Sequence, residues 1–175
     1  MKKADTRTAN LFGALALVTM DAVNREMDAL TDICESDCAA LVVLGQSPGI
    51  TVDRLAKILR LSQPGTVRLV DRLEKEGRVE RRQGIDRRAR PLALTPAGER
   101  TVKAVLLGRE KVLLHALGAL SEAERQTFSG LMEKMLHGIA KENDEIASDT
   151  ACRLCDDQAC PEDRCPLTPG CKKAA

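Results

Sequence analysis

Apolar residues recur at helical spacing along most of this chain. From about residue 8 to 31, Phe12, Leu15, Thr19, Val23 and Leu30 fall near one stripe, flanked by Leu11, Val18, Ala22 and Ala29. That spacing predicts a long amphipathic helix. A short helix is expected from about Ser36 to Gly45, followed by the turn Gln46-Ser47-Pro48-Gly49. Thr51 then caps a helix with Val52, Leu55, Ala56 and Leu59 on one face. Ser62 caps the next, with Pro64 in its first turn and Gly77 just past its end. This fourth helix is expected to bury Val67, Val70 and Leu73 and to expose Gln63, Arg68, Arg72 and Lys75.

The period then shortens. Val79 to Arg82 and Pro91 to Leu94 read as two strands around the basic loop 83–90, a small hairpin. Thr95 opens a long helix to about Leu120, with Val102, Val105, Leu106, Val112, Leu113, Ala116 and Leu117 as its stripe. Ser121 and Glu124 have capping-box spacing for a last helix reaching about Ala147, with Phe128, Leu131, Met132, Met135, Ile139 and Ile146 on its apolar face. From about Ser148 onward the chain is rich in Cys, Pro and Asp and shows no amphipathic period.

Charge changes the picture. The 175 residues carry 27 Lys and Arg against 26 Asp and Glu, a net charge of only +1. Yet from Asp53 to Arg90 twelve basic residues face six acidic ones, so a basic middle is balanced by an acidic remainder. That asymmetry suits phosphate binding. A solvated charged surface is the duller account of such a run. It is weaker here because the charges fall on a helix–turn–helix followed by a hairpin. The second helix of that unit can lie in a major groove with its first turn at base edges. Ser62, Gln63 and Thr66 supply short polar groups there; Gln suits adenine, and Arg68 suits guanine or phosphate. At the hairpin tip, Arg87, Arg88 and Arg90 suit an adjacent minor groove, with Asp86 orienting one of the arginines.

Composition removes several classes. Phe12 and Phe128 are the only aromatic residues, which argues against the stacking platforms of single-strand or RNA binders. His115 and His137 are the only histidines, and no nucleophile–His–acid set is visible, so no enzyme is expected. The run Leu11 to Met20 is too short to span a bilayer. It imitates a signal peptide behind Lys2 and Lys3, but its helical spacing continues through Met27 and Leu30, so a cytoplasmic protein without membrane contact is expected.

Five of the seven cysteines follow residue 150: Cys152, Cys155, Cys160, Cys165 and Cys171. In a reducing compartment such a cluster reads as metal ligands or redox thiols. The Cys-x2-Cys opening suits a zinc tetrathiolate on Cys152, Cys155, Cys160 and Cys165, or a thiol switch on the same residues. An iron–sulfur cluster fits less well, because the spacing departs from the bacterial ferredoxin run. Cys34 and Cys38, four apart, are candidate partners or merely small buried hydrophobes.

The stretch from Leu61 to Arg82 resembles the recognition helix of the MarR family of bacterial repressors. The run Asp86-Arg87-Arg88-Ala89-Arg90-Pro91-Leu92-Ala93-Leu94-Thr95-Pro96-Ala97-Gly98 is similar to that family's wing and following helix start. The resemblance covers roughly residues 8–147. It implies a mainly α fold, a winged helix–turn–helix with a two-stranded wing and long terminal dimerisation helices, reading short inverted repeats in double-stranded DNA. Position by position it matches Ser62, Gln63, Thr66 and Arg68 to the major groove, and Asp86 and Arg88 to the wing pair. Pro64-Gly65 departs from the pattern and puts the first turn of the recognition helix in doubt. The Cys-rich tail lies outside the pattern altogether.

The expected organisation is a helical dimerisation region over 1–35 and 95–147, a winged DNA-binding domain over 36–94, and a Cys-rich tail over 148–175. A homodimer also follows from the apolar stripes of the terminal helices, which the small winged unit cannot cover. The expected function is a dimeric, sequence-specific DNA-binding transcriptional regulator, a repressor relieved by a small-molecule effector, a metal or a redox signal. The competing reading is a metal or thiol sensor whose winged helix contacts proteins.

Overall fold

Four helices of this chain begin where a side chain satisfies one of the first unpaired N–H groups. The computed structural model describes residues 3–82, 91–140, 145–160 and 165–167. Its elements are α1 (Lys3–Leu30), α2 (Glu35–Gln46), α3 (Val52–Leu59), α4 (Gln63–Lys75), β1 (Val79–Arg81), β2 (Leu92–Leu94), α5 (Pro96–Leu117), α6 (Glu122–Ala140) and α7 (Glu145–Cys152). Thr51, Ser62 and Thr95 accept from the backbone N–H of Arg54, Gly65 and Gly98 respectively. Ser121 and Glu124 make the reciprocal capping box, the Ser121 N–H donating to Glu124 Oε2 (2.8 Å). This pairing holds the exposed Glu124 carboxyl below the usual carboxylate range.

The core forms around α2, whose residues from Asp37 to Leu44 are all buried. Leu55 and Ile58 of α3, Leu69, Val70 and Leu73 of α4, Val79 and Leu92 of the strands and Val105 of α5 close on it. Val23 and Met27 complete that core from the C-terminal half of α1. There α1 lies close against α5: a Cβ on Gly108 would stand 2.5 Å from Leu30 Cδ1, so a larger residue would displace the Leu30 side chain. The hairpin pairs antiparallel, with Glu80 opposite Ala93. Gly49 and Ile50 bond to the outer edge of β2 through both backbone groups of Leu92.

Several expectations need correction. The first helix begins five residues earlier, at Lys3. The last long helix is described as α6 to Ala140, residues 141–144 lie outside the described residues, and helix α7 extends past the expected end at Ala147 to Cys152. The region after Ser148 is not a patternless appendage. Its first residues continue α7, which packs against α3, and Leu154 joins the main core while Cys165 and Leu167 are also buried. Polar contacts fasten it: Arg54 Nη2 donates to Asp149 Oδ2 (2.6 Å), Gln46 Nε2 to the Cys155 carbonyl (2.5 Å), and Ser148 Oγ to the Leu167 carbonyl (2.9 Å). A hydrophobic period cannot announce such a segment, because only isolated apolar residues are buried.

The N-terminal half of α1 and all of α6 stand apart from this core. Leu11, Phe12, Leu15, Leu17 and Val18 of α1 are exposed, as are Leu131, Met132, Met135 and Ile139 of α6. No residue of α6 is buried. No described helix is long and apolar enough to cross a membrane.

Candidate nucleic-acid interface

A short turn sets the angle between α3 and α4. Arg60 ends α3 in the left-handed conformation (φ 53°), and the Leu61 N–H returns to the Ala56 carbonyl (3.0 Å). That conformation costs a non-glycine residue of order 1 kcal/mol; the caps on either side hold it. Ser62 then starts α4. Pro64-Gly65 does not undo the first turn, because the Gly65 N–H reaches Ser62 Oγ (3.2 Å) and the Thr66 N–H the Ser62 carbonyl (2.9 Å). The Ser62 oxygen is occupied by the cap, which leaves its hydroxyl proton as a donor.

Gln63 and Arg68 are exposed on α4, as the sequence predicts. Thr66 is not. It is wholly buried, and its Oγ1 donates to the Ser62 carbonyl (3.1 Å). It shares the inward face with Leu69, Val70 and Leu73, so it cannot reach a base edge. The expected burial of Val67 is wrong for the same reason. The face is rotated by one residue: Leu69 is buried and Val67 is 38% exposed beside Arg68. Val67 therefore offers a branched apolar contact of the kind that suits a thymine methyl. Thr66→Val should cost less than about 1.5 kcal/mol, the worth of one neutral hydrogen bond, and should leave base preference unchanged. Denaturant unfolding and competition between duplexes check the two halves; altered base preference would return Thr66 to the reading face.

Two acidic residues that sequence reasoning missed position this face. Asp53, at the start of α3, accepts from Gln63 Nε2 (2.7 Å) and fixes the amide before any ligand arrives. Asp37, buried in α2, receives Arg72 Nε (3.1 Å) and Nη2 (2.5 Å) in a two-pronged pair. This pairing raises the Arg72 pKa further above its ordinary value and ties α4 to the central helix. The available signal was an acid directly before the apolar run Cys38–Leu44 of α2, which needs a cationic partner when buried.

The basic middle is partly spent within the molecule. Arg81 bridges Asp71 (2.6 Å) and Glu74; Arg78 binds Asp32 (2.5 Å), Glu76 (3.1 Å) and Thr101 (2.7 Å). Arg82 lies against Glu80 (2.9 Å). Lys57, Arg60, Arg68 and Lys75 are exposed around the reading face. Asp86, Arg87, Arg88 and Arg90 lie outside the described residues, as does Cys171.

The remaining thiols divide into two groups. Cys34 is the exposed residue preceding α2, with its Sγ 3.1 Å from Ser36 Oγ. Cys38 is wholly buried 3.7 Å from Thr31 Oγ1, and burial pushes its thiol pKa up, which fits the small-hydrophobe reading. Cys152, Cys155 and Cys165 meet in the docked tail, where Cys152 hydrogen-bonds both of the others. Cys160 is exposed. Among the described residues, no three His, Cys, Asp or Glu side chains are arranged to hold a metal ion.

Residues 30–89 match the model of the MarR family. The fold is shared with several solved structures. YusO from Bacillus subtilis is 22% identical, with 77% of this chain and 97% of that one covered and a TM-score of 0.65. A mutant of S. aureus MepR, bound to an oligodeoxyribonucleotide, is 23% identical, with coverages of 75% and 97% and a TM-score of 0.57. Rv2887, a MarR family protein of Mycobacterium tuberculosis in complex with salicylic acid, is 22% identical, with coverages of 71% and 93% and a TM-score of 0.58.

Proposed function

From the match of residues 30–89 to the MarR family model, we propose that the protein is a regulator of that kind, a homodimeric, sequence-specific DNA-binding repressor. The observation that carries this reading is the first turn of α4. Ser62, Gln63, Val67 and Arg68 are exposed together on a helix locked from behind by Thr66 and by the Arg72–Asp37 pair. A helix that enters a major groove needs such a face, with polar groups on the outside and a rigid attachment inside. The exposed stripes of α1 and α6 supply the two-fold contact, and the wing arginines supply the flanking grip.

Binding should weaken steeply with salt, because each phosphate contact releases counterions. Gln63→Ala or Arg68→Ala should cost about 1–3 kcal/mol on the preferred duplex and relax base preference. The measurement is selection of duplexes from a random library, followed by titration of the selected site from low to physiological salt. A salt-independent isotherm, or unchanged preference in both variants, would sink the assignment.

We propose that a small organic acid relieves DNA binding. An open cleft of about 800 Å³ lies between the end of α1 and the start of α5, with Arg78 and Arg100 on its walls beside Asp28, Asp32 and Glu76. A carboxylate ligand there would compete with Asp32 for Arg78 and so act on the joint between α1 and the hairpin. The salicylic acid complex of Rv2887 makes salicylate the first probe.

A further inference from the structure

The turn that ends α7 brings thiols together. Cys152 is the last residue of that helix, and the Cys155 N–H closes back on its carbonyl (2.8 Å). The two side chains hydrogen-bond each other, and Cys165 approaches Cys152 from the far end of the tail. Cys152 and Cys155 are half-buried, Cys165 is buried, and all three are free thiols. This is a thiol pair with a third thiol behind it.

The pair is polarised. The hydrogen bond from Cys152 brings Cys155 down to about 6; burial opposes this, Arg109 and Arg153 add to it, and Asp156 works against it. The same bond, with burial, pushes the Cys152 thiol up. Cys155 is therefore the more acidic thiol of the pair and the one suited to attack. An attacking thiol whose pKa lies near the ambient pH is the optimum for exchange with a disulfide.

We propose that Cys152 and Cys155 form a dithiol exchange site for low-molecular-weight disulfides, and that closing it loosens the seat of the tail on α2 and α3. The Cys155 thiolate attacks one sulfur of the small disulfide, forms a mixed disulfide and expels a thiolate, which takes up a proton. Cys152 gives up its proton and attacks the Cys155 sulfur. The Cys152–Cys155 bond forms, and the second small thiol leaves. Two electrons pass from the protein dithiol to the small disulfide, which ends as two thiols.

The attachments of the tail make this more than a local event. Sulfur atoms in hydrogen-bonded contact must close to about 2.05 Å, which reshapes the turn 152–155. Within that ring sit Leu154, buried in the main core, the Cys155 carbonyl that binds Gln46, and Arg153, 3.6 Å from Glu35. The Arg54–Asp149 bridge to α3 lies three residues before it. Only the consequence at DNA rests on the regulator reading; the exchange site and the loosening stand without it.

The test uses the full chain equilibrated with graded mixtures of reduced and oxidised glutathione, then acid-quenched, alkylated and mapped by mass spectrometry. A single Cys152–Cys155 disulfide is expected, absent in Cys155→Ser and retained in Cys160→Ser. Alkylation of Cys155 in the reduced chain should rise with a midpoint at about pH 6. Hydrogen exchange of α3 amides should accelerate about tenfold or more on oxidation, as expected for a weakened local unit. Thiols that stay reduced throughout, or pairing through Cys160, refute the site. A disulfide that leaves α3 protection unchanged refutes the coupling. Duplex titration of the reduced chain reports separately on the regulator reading.

Discussion

A chain carrying Leu131→Glu and Met135→Glu should be monomeric at micromolar concentration and bind duplex DNA about 100-fold or more weakly, because linked half-sites benefit from millimolar effective concentrations. These residues lie four apart on α6, one turn of the same stripe, and both are exposed in the single chain. No residue of α6 is buried, so the charges disturb no internal core. The helix content should therefore be unchanged, which separates a lost partner from a lost fold. Analytical ultracentrifugation and gel shift on one preparation supply both readouts. A monomer that retains the parent affinity, or a dimer that survives both charges, would place the two-fold contact elsewhere.

Arg72→Ala should remove about 2–3 kcal/mol of folding stability, below the range for wholly buried ion pairs because the arginine is half exposed. Its partner decides the cost. The Asp37 side chain is only 3% exposed, and losing Arg72 Nε and Nη2 leaves its carboxylate without this pairing inside an apolar helix. Adding Asp37→Ala to Arg72→Ala should restore part of the loss, since the buried charge goes with it. Denaturant unfolding of both single variants and the double variant completes the cycle. A single Arg72→Ala variant as stable as the parent would show that the pair does not anchor α4.

Most of the fold was legible because it is written in local signals. Thr51, Ser62, Thr95 and Ser121 each announce a helix start, and each acts as a cap in the structure. Gly77, in the left-handed conformation, marks the exit from α4. What the periodicity could not resolve was a rotation of one residue about the α4 axis. Val67 and Thr66 are neighbours of similar size, and both β-branched side chains fit a helix face. Tertiary packing chose Thr66 for the inside, where its hydroxyl finds the Ser62 carbonyl. The polar residues of the site were legible one by one as Gln63 and Arg68. Their positioning partners, Asp53 and Asp37, were not, because those contacts span 10 and 35 residues. The docked tail was hidden for a similar reason: its anchor Leu154 and the buried Cys165 and Leu167 form no repeating stripe.

That anchor also sets an order of events in time. Asp149 meets Arg54 across 95 residues of chain, and the Gln46–Cys155 bond spans 109. Such distant closures are slow to form, because the intervening chain must be ordered first. During synthesis the winged unit emerges complete while Leu154 has yet to be made, so a nascent reading head can form its core with one hydrophobic position unfilled. The tail docks only onto an α2 and α3 that are already made, so its seat is completed after the elements it rests on.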